Sequence, residues 1–324
     1  MVGRVFGVRE MVVGAEVVGL APGDLGDAGV RAELYGLWLK FGLLVFRGVA
    51  SVEEHLALSR CFGELEVHPL PEVRWEENPL LIELGGSKTA PAYVYDGGDV
   101  RVNRLPWHRD TAYTPTICKG AMLWMLETPS VEGETLFADT ALAYDALPGD
   151  VKERLEGLEY KATVRMTPLE QTRPGALWRE VRKATVEEDP QVAAPRKGSF
   201  DRAAAAARYP SVIHPAVLVH PESGRKCIFL SPTYVDYFIG LEQSESDELL
   251  AYLMDHMTQS RFVYKHSWTV NDALTWDNRR FMHAALGHPV GEPRRALRTT
   301  LATQFRPGRY FDESVTGEVA ALVD

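Results

Sequence analysis

The chain has 324 residues, of which 35 are basic and 45 acidic, for a formal net charge of −10. With no basic face to track a phosphate backbone, nucleic acid is not an expected partner, and with no run of 18 apolar residues no membrane span is expected. A 45% hydrophobic content supports a large core, while three scattered cysteines, Cys61, Cys118 and Cys227, give neither a disulfide framework nor a CxxC metal pattern. The first residues, Met1-Val2-Gly3-Arg4, lack the apolar stretch of a secretory signal, so a reducing cytoplasm is the expected location.

Taken in chain order, apolar spacing predicts a helix over Ala28–Lys40 and a buried strand over Gly42–Gly48. Ser51 and Glu54 have capping-box spacing and open a helix to about Cys61. Leu80–Leu84 reads as a strand, and Ser87–Arg104 as a loop. Ala121–Leu126 and Thr135–Ala138 read as strands joined by a turn. Asp150 is the expected cap of a helix after Leu147-Pro148-Gly149. The pattern breaks down from Pro168 to Pro210, read as an insertion between strands, part helix and part loop. Val212–His220 and Lys226–Leu230 form a hairpin about Pro221–Gly224. Ser244–Met257 is a helix capped by Ser244 or Ser246, and Phe262–Ser267, Ala273–Trp276 and Arg298–Gln304 are strands. Many short strands, few helices, no repeat and no linker predict one domain over residues 1–324. Its expected class is mainly β with flanking helices, on a double-stranded β-helix (jelly-roll) core.

Chemistry enters at Trp107-His108-Arg109-Asp110. His108 and Asp110 are two apart, so on extended chain both face one way, and one strand offers two ligands. Trp276-Asp277-Asn278 and His283 answer them downstream. Two imidazoles and a carboxylate occupy one face of an octahedral Fe(II) and leave three positions open. Ligand count alone leaves a catalytic zinc site open as well. A lone histidine is as readily structural, and His55, His214, His220, His256, His266 and His288 have no motif around them.

The order of several spaced segments resembles the TauD/TfdA family of iron(II)- and 2-oxoglutarate-dependent dioxygenases. They are Gly42–Gly48, Phe62-Gly63-Glu64-Leu65, the His108/Asp110 pair, Thr135 in Gly133–Asp139, Trp276–His283 and Arg294–Thr300. The resemblance runs from about Gly14 to about Arg306. It implies Fe(II) held by His108, Asp110 and His283, 2-oxoglutarate as co-substrate, and O2 as oxidant. It assigns Arg294 and Thr135 to the distal carboxylate of 2-oxoglutarate, a planar bidentate match for a guanidinium. Arg295, on the other face of an extended chain, is expected to be structural or exposed.

Arg298 would face the same cavity as Arg294, near either the substrate anion or the proximal carboxylate. His68 matches a substrate-contacting histidine of the taurine enzymes, but Pro71 and Arg104 replace their tyrosine and asparagine, so taurine is not the expected substrate. Arg104, Tyr93, Tyr95 and Lys88 are candidate substrate contacts near the mouth. The implied reaction is hydroxylation of a small anionic metabolite, or hydroxylation that leads to cleavage, with release of succinate and CO2. The carboxylate of Asp110 argues against halogenation. Desaturation or another oxidative rearrangement, a non-catalytic 2-oxoglutarate-binding protein and a zinc hydrolase remain alternatives. The resemblance also implies a homo-dimer or homo-tetramer.

Overall fold

In the computed structural model of the chain, the described residues are 6–68, 73–85, 92–94, 98–164, 182–183, 185, 187 and 209–315. Two facing sheets carry the site. The larger has nine strands. Its path runs Gly7–Glu10, Ala15–Val18, Leu43–Phe46, Ala273–Asp277, Gly120–Glu127, Arg295–Leu301, Asn78–Gly85, Arg74–Trp75, and Leu65–Glu66 also pairs with Arg295–Leu301. The smaller runs Val263–His266, Thr135–Asp139, Phe281–Ala285, Leu105–His108. Nearly every pairing is antiparallel; Ala15–Val18 against Leu43–Phe46 is parallel. This is the jelly-roll core expected from the sequence.

Side-chain alternation explains the layers. In the large sheet Leu43, Val45, Ala121, Leu123, Met125, Leu274 and Trp276 point inward and meet Phe137 and Phe281 of the small sheet. Leu44, Phe46, Met122 and Trp124 point outward against Leu34, Trp38, Leu56 and Phe62 of the helical layer. Both faces are covered, so these strands read as continuous apolar runs. The helix Gln243–Met257 covers the outer side of the small sheet through Leu249, Leu250, Leu253 and Met257.

Local signals set the element ends. Asp27 caps the helix Ala28–Phe41 by accepting from the amides of Gly29 and Val30. Gly42 ends it at φ 72°, where a Cβ would lie 2.5 Å from the Phe281 ring, so only glycine turns the chain there into the strand. Ser51 caps Val52–Ser59 through the amide of Glu54, and the Glu54 carboxylate returns to the amide of Ala50.

Several expectations are corrected. The stretch Ser87–Arg104 contains two strands, Ala92–Val94 and Val100–Val102, paired with each other. Asp150 is not a cap; Pro148 precedes the helix Gly149–Leu155, and Asp150 lies in its first turn. Neither Ser244 nor Ser246 caps Gln243–Met257; the Ser246 hydroxyl accepts from the amide of Phe238 instead. The last large-sheet strand is Arg295–Leu301, three residues earlier than expected, because its register is set by Gly120–Glu127 on one side and Asn78–Gly85 on the other. Most of the insertion at 168–210 lies outside the described residues, but Arg182–Lys183 pairs with Val94 and Tyr93.

Candidate active site

The small sheet places two imidazoles side by side. His108, at the end of Leu105–His108, stands directly opposite His283 in Phe281–Ala285, and their ring centroids are 4.2 Å apart. Asp110 lies in the turn just past the strand, not on it, yet its carboxylate swings to the same side. Its oxygens lie 3.8 Å from Nε2 of His108 and 3.8 Å from Nε2 of His283. One ligand atom from each of the three fits within 4.8 Å of the others. The Nδ1 of His108 is 2.7 Å from the Pro106 carbonyl, so it carries the proton and Nε2 keeps its lone pair. Burial pushes both histidines down, toward the neutral form that binds metal. Burial alone would raise the Asp110 carboxyl, but Arg298 and the two imidazoles hold it below the usual carboxylate range. Its Oδ2 is buried without a hydrogen-bond partner. An orphaned carboxylate oxygen beside two free imidazole nitrogens is a donor set that fits Fe(II).

The turn that carries Asp110 is held from two directions. Asn278 clamps its main chain: Oδ1 accepts from the Asp110 amide at 3.0 Å, and Nδ2 donates to the Asp110 carbonyl at 2.9 Å. Arg109, between two of the three, is fully buried. Its guanidinium donates to the carbonyls of Ile228, Leu230, Asn278 and Phe281 and to the Thr140 hydroxyl. It thereby ties the Asp110 turn to the segment that leads into the His283 strand.

A second cluster lies two residues further along the small sheet, past the rung where Phe137 faces His283. Thr135, in register with Ala285, is buried, as is Arg294, just before Arg295–Leu301. Arg294 donates from Nε to the Gly133 carbonyl at 3.2 Å, and its Nη2 lies 3.5 Å from the Thr135 hydroxyl. Burial pushes the Arg294 guanidinium down to about 10, and among the described residues no carboxylate pairs with it. A buried cation with no counter-ion is costly unless an anion arrives. The distal carboxylate of a dicarboxylate fits that need.

The description "Taurine catabolism dioxygenase TauD, TfdA family" matches residues 6–300. The chain belongs to this family. The family enzyme described here is 33% identical over 275 residues to the (S)-phenoxypropionate/alpha-ketoglutarate-dioxygenase of Sphingobium herbicidovorans, covering 84% of this chain and 85% of that one. It is 31% identical over 287 residues to the alpha-ketoglutarate-dependent 2,4-dichlorophenoxyacetate dioxygenase of Cupriavidus pinatubonensis, covering 85% and 89%. A taurine dioxygenase from Burkholderia xenovorans has the same fold, with TM-score 0.69 at 20% identity over 99% of this chain and 100% of that one. The TauD/TfdA enzyme is therefore an Fe(II)- and 2-oxoglutarate-dependent dioxygenase using O2 on a small-molecule substrate, and the zinc hydrolase alternative falls away. Among its described residues no helix is long and apolar enough to cross a membrane.

Within this TauD/TfdA site the other candidates separate. Arg298 is buried and donates to Asp110 Oδ1 at 3.0 Å, so it braces the carboxylate. Arg295 faces away and pairs with Glu83, as expected. His68 is half-buried and its carbonyl accepts from Arg74. Arg104 lines a cavity of about 400 Å³ with Trp107, Leu136 and Ala284. Those three alternate with His108, Thr135 and His283, so that cavity is on the opposite face of the small sheet. Tyr93 is buried, its main chain opposite Arg101 and Lys183. Lys88, Tyr95 and Pro71 lie outside the described residues. The six unassigned histidines are all buried; His220, for example, meets Asp277 at 2.8 Å and His256 the Ala143 carbonyl.

Sequence reasoning missed Arg109, whose one signal was a charge lodged between His108 and Asp110, just past the strand Leu105–His108. It quoted Asn278 without a role. It also missed a tyrosine group three residues past Asp110: the Tyr113 ring lies edge-on to Tyr209 and Tyr234 at 5.0 and 5.4 Å, and packs with Val73 and Val164.

Proposed function

We propose that this chain hydroxylates a small carboxylate with an aromatic body. In this reading His108, Asp110 and His283 hold Fe(II), while Arg294 and Thr135 hold the far carboxylate of 2-oxoglutarate. The observation that carries it is the buried Arg294 guanidinium, which has no carboxylate partner among the described residues, in the same sheet pair as three convergent ligand atoms. Iron and 2-oxoglutarate, when bound, supply oxidising power from O2, with release of succinate and CO2. The chain's own residues position and exclude. Arg298 occupies Asp110 Oδ1 and leaves Oδ2 for the metal. Phe137 and Trp276 pack on His283 at 6.0 and 4.7 Å and shield it from water.

The aromatic body is supported by the Tyr113, Tyr209 and Tyr234 group, whose Tyr113 lies close enough to feel the charges of Asp110 and Arg298. Two relatives bear phenoxyalkanoate names, and aryl rings favour edge-on tyrosine neighbours. One catalytic unit with an insertion at about 168–210, a cytoplasmic setting and a homo-dimer or homo-tetramer complete the reading. Three buried free cysteines suit a reducing compartment.

The test is an anaerobic titration with Fe(II) and 2-oxoglutarate, following the visible metal-to-ligand charge-transfer band. A band that needs both additions, and that is lost in Arg294→Ala at the same concentration, is the expected result. Aryloxyalkanoates are expected to shift the band and alkylsulfonates of equal length are not. No band from a folded, iron-loaded protein refutes the co-substrate site; a band indifferent to aryloxyalkanoates refutes the substrate class alone.

A further inference from the structure

Thr135 has more neighbours than a co-substrate anchor needs. The indole Nε1 of Trp268 donates to its hydroxyl oxygen at 2.9 Å, and Arg294 Nη2 approaches the same oxygen at 3.5 Å. An indole N–H and a guanidinium can only donate. The Thr135 oxygen is therefore the acceptor in both contacts, and its own proton must point elsewhere. Among the described residues no acceptor takes that proton.

Trp268 is itself held in place. Its ring stands edge-on to His266, with centroids 4.3 Å apart at 80°. His266 is buried opposite Thr135 in the sheet register. The Tyr264 hydroxyl lies 2.9 Å from His266 Nδ1, and Asp272 lies 3.3 Å from its Nε2. Asp272 is in turn paired with Arg47. The indole thus reaches Thr135 from a braced position two residues past the end of the neighbouring strand Val263–His266.

We infer that Trp268 is a positioning residue that fixes the Thr135 hydroxyl as a donor, so that with Arg294 it forms a donor-only cradle for a carboxylate. A hydroxyl free to rotate could turn its proton aside and offer a lone pair to a ligand's own donor. With the indole occupying the oxygen, only the proton faces the cavity. Such a cradle selects a 2-oxo acid with a second carboxylate over one without it, and over the corresponding amide, whose own N–H groups would meet donors. This rests on the reading of Arg294 and Thr135 as the 2-oxoglutarate anchor.

Trp268→Phe keeps an aromatic ring against His266 and deletes the N–H. In anaerobic titrations of the Fe(II)-loaded protein, this variant is expected to bind 2-oxoglutarate about 5- to 20-fold more weakly, the loss of roughly one directed hydrogen bond. Binding of pyruvate, which lacks the distal carboxylate, is expected to be unchanged. On a Thr135→Val background the further change to Phe at 268 is expected to add less than about twofold. Replacing Trp268 site-specifically with its benzothiophene isostere, which has the same shape and no N–H, gives the same comparison without a packing change.

Equal 2-oxoglutarate affinity in parent and isostere overturns the inference, as does equal weakening of 2-oxoglutarate and pyruvate, which would mark a purely structural role. A parent that binds no 2-oxoglutarate at all takes down the anchor reading and this inference together.

Discussion

Asn278→Ala tests whether the Asp110 turn is held by its main chain. The substitution removes the acceptor for the Asp110 amide and the donor to the Asp110 and Cys118 carbonyls, at 3.0, 2.9 and 3.2 Å. Asn278 is fully buried, so water does not replace it. Three lost hydrogen bonds to main chain at about 1 kcal/mol each, with the buried amide left unpaired, give roughly 3–4 kcal/mol of destabilisation. The carboxylate would then be placed by Arg298 and by the Arg109 anchor beside it. Partners of this kind typically contribute 10- to 100-fold to metal affinity, so Fe(II) affinity is expected to fall by about that factor. Urea unfolding of the metal-free protein reads the first quantity, and anaerobic Fe(II) titration the second. Unchanged Fe(II) affinity in a variant destabilised by the full amount would show that the clamp serves the fold and not the metal. No change in either would refute the geometry.

Acid is expected to destabilise the protein from about pH 6.5 downward. Burial holds His55 down to about 3 and His214 down to about 4. The unfolded chain therefore binds protons that the folded one refuses, and the two together cost roughly 4 kcal/mol by pH 5, measurable as a falling urea midpoint. A flat midpoint between pH 7 and 5 would contradict this. Gly85→Ala is expected to destabilise by several kcal/mol and to weaken 2-oxoglutarate binding. At φ 98° the new Cβ would lie 1.8 Å from the Arg294 carbonyl oxygen, and unfolding together with the charge-transfer titration reads both effects. The thiols are expected to resist iodoacetamide in the folded protein and to react, three per chain, in denaturant. All three are buried, and burial pushes Cys61 up to about 11 and Cys227 up to about 12; mass spectrometry counts the adducts.

What the sequence made legible was whatever repeats at short range. The helix over 28–41, the capped turn at Ser51 and the apolar strands of the large sheet follow from spacing and from local hydrogen bonds. The paired His108 and Asp110 were visible for the same reason, although Asp110 proved to sit in a turn, where parity along a strand no longer applies. What stayed hidden depends on long-range partners. Strand Arg295–Leu301 began early because two neighbouring strands dictate its register. Ser246 was spent on Phe238, and Arg104 was turned to the far side of the small sheet. Arg109 and Trp268 look like ordinary sequence until Asn278, Phe281 and Thr135 are brought beside them by the fold.

The pairing of His108 with His283 also has a kinetic side. The strands that bear them are neighbours in space but far apart in the chain, and Leu43–Phe46 likewise waits for Ala273–Asp277. Loops this long close slowly, and chains dominated by such contacts fold late and cooperatively. On the ligand reading proposed above, a nascent chain would hold no complete iron site until residue 283 had emerged and the two sheets had closed. Iron loading would then come last in the life of the fold, and a bound ion joining the two strands would hold the closed sheets together by favouring the folded state over the unfolded one.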